Sequence, residues 1–188
     1  MSAFDLSRYV EEQGMVRLIP LLTQYAEHGQ FTIINKGPLA PILQKTVGDA
    51  LLNRNGGVYG LEVKVETQFT GNFFLETWSN KKFSFRKQGW LYTLQTDIFW
   101  YYFLDVDELY SMSFHRLWEW AFNHNRLFDF PEKQQRKNVQ MNETWGCCVP
   151  ISIIEREVGY VLYNPSKSFE PVRFKDINPS EKQDEFSF

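Results

Sequence analysis

The chain has 188 residues, 43% of them hydrophobic and 17% aromatic, enough for one domain with a proper core or one domain plus an appendage. A chain this apolar is excluded from the disordered class, which buries too little surface to offset its ordering entropy. The formal charge of −3 excludes recognition of nucleic acid by net charge and leaves that task to a local basic patch.

Met1 to Val10 lacks the basic start and apolar run of a signal peptide. Phe4 to Ala26 has apolar residues near helical spacing, and Gly14 divides it into two helices, with Pro20 at the start of the second or kinking it. His28-Gly29 reads as the stop, with His28 an ordinary last-turn residue. Phe31 to Asn35 is a short strand, broken by Lys36-Gly37-Pro38, and Leu39 to Lys45 is ambiguous. Thr46 to Leu52 and Tyr59 to Glu66 read as two strands, joined through Asn53 to Gly57, a strong hairpin turn.

Phe73 to Trp78 is a third strand by its aromatic and β-branched content. Ser79 to Gln88 is a long polar loop, and a short helix follows in Gly89 to Thr96. Asp97 caps a fourth strand, Ile98 to Leu104. This is the longest strongly apolar run, far below membrane-spanning length. Glu108 to Phe114 returns as a fifth strand, and Phe114 to Asn125 is helical, with His115 and His124 as helix residues. Asp129 to Asn142, including Lys133, Arg136 and Lys137, is an exposed loop or mobile segment. Trp145 to Pro150 and Ile151 to Ile154 add a last strand or a buried turn, and Val158 to Tyr163 is a further apolar run. Adjacent Cys147 and Cys148 argue against a disulfide framework and a structural zinc site. Ser180 to Phe188 reads as frayed. The expectation is an α+β (α/β-like) fold, a central mixed sheet of about five strands flanked by helices, in a soluble cytoplasmic protein without a membrane partner.

The chemistry concentrates around the predicted hairpin. Strand side chains alternate faces, so Glu62 and Lys64 point the same way, and Glu66 shares their parity. Asp49 comes from the neighbouring strand and can be brought beside them. Two carboxylates and a lysine on one face suit a hard divalent cation and an activated water. The same period of two also describes the wet face of an antiparallel strand. Glu76, in an apolar strand, needs a partner. It is a further acid of the site or pairs with a base such as Lys64. Gln44 hydrogen-bonds near the site or caps a turn. Lys81, Lys82, Arg86 and Lys87, interleaved with Phe83, Phe85 and Trp90, suit phosphate contact and base stacking, or form a solvated loop over packed aromatics.

Asp49 followed after a hairpin by Glu62-Val63-Lys64 resembles the D…(D/E)xK signature of the PD-(D/E)xK nuclease superfamily. Gln44 with Gly48-Asp49, then Thr70-Gly71-Asn72-Phe73-Phe74-Leu75-Glu76, then Gly89-Trp90 leading to Thr96-Asp97-Ile98, is similar to small phage and bacterial proteins of that group. The resemblance covers roughly residues 44 to 105 and departs from the pattern where Gly48, not proline, precedes Asp49. It implies a restriction-endonuclease-like core carried on a three-stranded meander. It divides the chain into a nuclease-like domain, 1–125, and a C-terminal extension, 126–188, packed on it. Asp49, Glu62 and the Val63 carbonyl would hold Mg²⁺ (or Mn²⁺), with Lys64 completing the catalytic set. The implied activity is hydrolysis of DNA, as a monomer or homodimer. The alternative is a silent nuclease fold that binds nucleic acid or a protein partner in phage–host conflict. The first-helix acid of many members has two candidates, Glu12 and Glu27.

Overall fold

The computed structural model describes residues 3–35, 38–82, 85–135 and 143–175, with side chains placed for 9–35, 38–82, 85–135 and 143–167. Predictions made for Lys36-Gly37, Phe83, Arg136-Lys137 and Ser180 to Phe188 lie outside the described residues. Helix α1 (Ala3–Tyr25) opens the chain. It runs through Gly14 and contains Pro20, so the expected division into two helices is corrected. Gly14 is instead where the helix lies on a strand: a Cβ there would stand 2.6 Å from Val65 Cγ1 and 3.1 Å from its Cβ. Only a residue without a side chain allows that approach. Leu18, Leu21 and Leu22 make its buried stripe, and Ala26 just past its end is buried with them.

After α1 come β1 (Phe31–Ile33), α2 (Ala40–Val47), β2 (Ala50–Arg54), β3 (Gly57–Glu66), β4 (Asn72–Asn80), β5 (Lys87–Gln88) and α3 (Trp90–Thr93). The rest are β6 (Ile98–Phe103), β7 (Glu108–Ser113), α4 (Phe114–Trp118), β8 (Glu132–Gln134), β9 (Trp145–Pro150), α5 (Ile151–Glu157), β10 (Tyr160–Asn164) and β11 (Ser168–Lys175). The β2–β3 turn has Asn55 at φ 49° and Gly56 at φ 75°. Two positive φ angles in a row are the type I′ hairpin that the Asn-Gly pair predicts.

The main sheet has seven strands in the order β1-β2-β3-β6-β7-β10-β11. The β3–β6 pair is parallel, and the other pairs are antiparallel. The expected meander is therefore corrected. The strand after the hairpin, β4, leaves this sheet and joins a second one, β5-β4-β9-β8. The reason lies in packing. Phe73 and Leu75 of β4 are buried in the cluster built on Phe99, Tyr101 and Phe103 of β6, with Phe73 and Tyr101 ring centroids 4.8 Å apart. β4 covers the sheet as a second layer and does not extend it. All six residues of β6 are buried, Ile98, Trp100 and Tyr102 against α1 and the other three against β4 and its neighbours. The fold is mixed α/β with a mixed sheet, of seven strands where about five were expected.

Ile151 to Ile154, expected as strand or turn, starts α5, because Ile151, Ile154 and Val158 are buried at helical spacing. Within the 129–142 segment, β8 pairs with β9. Residues beyond 125 supply β8 and β9 to the second sheet and β10 and β11 to the main one.

At the end of α5, Glu157 accepts hydrogen bonds from Trp120 Nε1 (2.8 Å), Arg126 Nε (2.9 Å) and Arg156 Nη2 (2.6 Å). The Arg126 hydrogen bond, against the opposing pull of burial and with help from Trp120 and Arg156, holds its carboxyl at about 2. Its folded value lies below the ordinary 4.5, so its contribution is present above pH 4.5 and is lost as pH falls toward 2. Glu157→Gln is expected to cost about 1–2 kcal/mol at neutral pH, after solvent screening. It should also remove part of the acid limb of the stability curve, measured by thermal melts between pH 2 and 7.

Candidate functional site

β2 pairs with β3 only as far as Ala50 opposite Leu61. From Glu62 to Glu66, β3 is bonded to β6 on one side, and among the described residues no strand pairs with its other edge. Val63 N–H faces that edge and donates to Asp49 Oδ2 at 2.9 Å. A residue's C=O faces the same edge as its N–H, so the Val63 carbonyl opens there too.

Asp49 is placed by backbone contacts around it. Gly48 has φ +95°, and a Cβ there would overlap the Leu61 carbonyl. Ile34 N–H donates to the Asp49 carbonyl at 2.7 Å, and Gln44 Nε2 donates to the Ile34 carbonyl at 2.6 Å. Gln44 thus acts through Ile34 on Asp49, as a positioning residue. On the other side of β3, Asp97 Oδ2 accepts from Gly60 N–H at 2.7 Å, and Thr96 Oγ1 donates to the Val47 carbonyl at 3.0 Å. These bonds tie the start of β6 to the end of α2 and to β3.

Glu62 is 4% exposed and is ion-paired with Lys64. Burial pushes the Glu62 carboxyl up to about 7, against the pull of Lys64 and with a further push from Asp49 and Glu11. For Lys64, burial acts downward, but Glu62, Asp49 and Glu11 together hold the ammonium above its ordinary value. Asp49, Glu62 and Lys64 therefore share one electrostatic environment, on one side of the sheet.

They line a cleft of about 1180 Å³ between α1, α2 and the second sheet. Glu66 lines it as well, and its carboxylate accepts from Tyr101 Oη at 3.4 Å. Tyr101 Oη also accepts from Phe74 N–H at 3.1 Å, so one phenol ties β3, β4 and β6 together. Burial and the Glu66 carboxylate hold this phenol well above its ordinary range, as a neutral donor. Tyr101→Phe is expected to cost about 1–3 kcal/mol by leaving the Phe74 amide short of its acceptor, read from chemical denaturation.

Glu76 lies on the opposite wall, where it accepts from Ser79 Oγ at 2.7 Å. Arg86 and Lys87 line the cleft. Lys81 does not. It pairs with Glu132 at 2.5 Å and sits 4.4 Å from the Trp145 ring centroid. Lys82 is also outside the lining, half-buried beside Asn80, whose side chain accepts from its N–H.

Glu11 was missed by the sequence reading, which weighed Glu12 and Glu27. Glu27 Oε2 accepts from Gly56 N–H at the hairpin turn, whereas Glu11 lines the cleft. The signal was in the helix phase: Glu11 precedes Gly14, the contact with Val65, by one turn, which puts both on one side of α1. Lys45 at the end of α2 also lines the cleft.

Among the described residues no three His, Cys, Asp or Glu side chains group closely enough to hold a metal by themselves. The donor set at the β3 edge is of another kind, two carboxylates and a main-chain carbonyl. Such hard oxygens suit Mg²⁺, which keeps several waters and often takes only one or two carboxylates. A buried acid with a raised pKa is also a group that an added cation would stabilise in its charged form. No helix among the described residues is long and apolar enough to cross a membrane. The sequence matches no family model, no curated protein and no solved structure.

Proposed function

We propose that this chain is a metal-dependent phosphodiesterase that hydrolyses DNA, with the restriction-endonuclease-like core of the PD-(D/E)xK superfamily. The observation that carries the reading is the open edge of β3. Asp49, Glu62 and Lys64 line one cleft there, and Asp49 accepts from the Val63 N–H on that edge. Asp49, Glu62 and Val63 O would hold Mg²⁺ or Mn²⁺. The bound ion would lower the pKa of a water and neutralise charge on the scissile phosphate. Lys64, held beside Glu62, supplies a fixed positive charge for the phosphate oxygens. Gln44 and Gly48 keep Asp49 in place. Lys45, Arg86 and Lys87 offer phosphate contacts around the acids.

A second reading, a silent nuclease fold that binds nucleic acid or a protein partner, is favoured by one fact: both carboxylates already have protein partners, Asp49 the Val63 amide and Glu62 the Lys64 ammonium. Calorimetric titration of Mg²⁺ and Mn²⁺ into the wild type, followed by cleavage of labelled DNA, separates the two. Saturable binding with metal-dependent cleavage supports the hydrolase. DNA binding with neither supports the silent fold.

A further inference from the structure

Building on the hydrolase reading, we infer that the cleft takes a single strand of DNA and not an intact duplex. Glu62 is 4% exposed, and the Lys64 side chain is 31% exposed, so the reacting phosphate must descend to them. A duplex is a stiff rod with its phosphates on the outside, and it would have to be bent or opened to bring one that deep. The second sheet lines the cleft through Glu76 and Gln88, and α2 lines it through Gln44 and Lys45. The space between is about 1180 Å³. Pockets for one drug-sized ligand run to about 1,000 Å³, so this cleft has room for a few nucleotides.

Charge follows the same plan. Of the acids, Glu62 is buried and Asp49 half-buried, Lys45 lines the cleft from α2, and Arg86 and Lys87 line it from the second-sheet side. A strand passing between the walls meets these cations beside the carboxylates of Glu11, Glu66 and Glu76, which line the same cleft. The half-buried ring of Phe74 in the same wall offers its bases an apolar surface.

The test is fluorescence anisotropy of the full chain in Ca²⁺ with a labelled 12-nucleotide strand and with the same strand in a blunt duplex, its integrity checked on a gel. The expected result is binding of the single strand at least tenfold tighter than the duplex. Arg86→Gln/Lys87→Gln, at two exposed positions, should weaken the single-strand complex and lower the slope of log K against log salt by about 1.4, with folding checked by the melting temperature. Duplex binding as tight as single-strand binding, no binding of either, or an unchanged salt slope would overturn the inference. Replacing Ca²⁺ with Mg²⁺ distinguishes its failure from that of the hydrolase reading. A duplex cut as fast as the single strand removes the strand preference and keeps the hydrolase. A single strand bound but never cut removes the hydrolase and keeps the strand site.

Discussion

Glu62→Gln is expected to abolish divalent-cation binding and to lower phosphodiester hydrolysis by at least about 10²–10³-fold, the usual loss when one preorganised charge-stabilising group is removed. Glutamine keeps the shape of the side chain and removes only its charge. The fold should survive, for a reason visible in the burial. Glu62 is pushed up to about 7 from 4.5, chiefly by burial. Its folded value lies above its unfolded value, so its contribution is fully present below pH 4.5 and is lost as pH rises through about 7. The variant should lack that loss, while Lys64 keeps only Asp49 and Glu11 as counter-charges, so its melting temperature above pH 7 is measured beside its activity. Lys64→Ala is the less informative choice. It leaves Glu62 buried without its neutralising partner, so lost activity would be mixed with lost stability. A Glu62→Gln protein that binds Mn²⁺ like the wild type in calorimetry would sink the metal reading.

Gly48→Ala should be the most damaging single substitution outside the core. The added Cβ would overlap the Leu61 carbonyl oxygen and stand 2.6 Å from its carbon and 2.9 Å from Glu62 N, at a φ of +95° that disfavours any L side chain. The obstacle is the backbone of β3, which cannot yield without breaking its pairing with β2 or β6. A cost of about 3 kcal/mol or more is expected, a fall in melting temperature of about 6–12 °C for a chain of this size. Asp49 is the next residue, so hydrolysis should fall even at temperatures where the variant is folded. Gly56→Ala is the control. Its φ is also positive, at +75°, but nothing lies within 4 Å of an added Cβ, so only about 1 kcal/mol is expected. If the two variants melt together, close approach is not what Gly48 is for.

The sequence alone placed Glu62 and Lys64 on one face, because a strand alternates and two residues return to the same side. It also placed the hairpin, since Asn55-Gly56 accepts positive φ at both positions, and a buried strand over Ile98 to Leu104, found at Ile98–Phe103. These are properties of neighbouring residues. Tertiary structure decided the rest. α1 passes unbroken through Gly14 where it lies against Val65, 51 residues away, and Glu11, one turn before that contact, lines the cleft. The departure of β4 into a second sheet depends on the aromatic face of β6 and on β9, whose residues pair with it from far along the chain. The mixture of Lys81, Lys82, Arg86 and Lys87 reads as one basic loop, yet Glu132 takes Lys81 away from the cleft. Periodicity reports which face of a segment is apolar. It carries no information about which distant segment will cover that face, and the cleft is made by those distant segments.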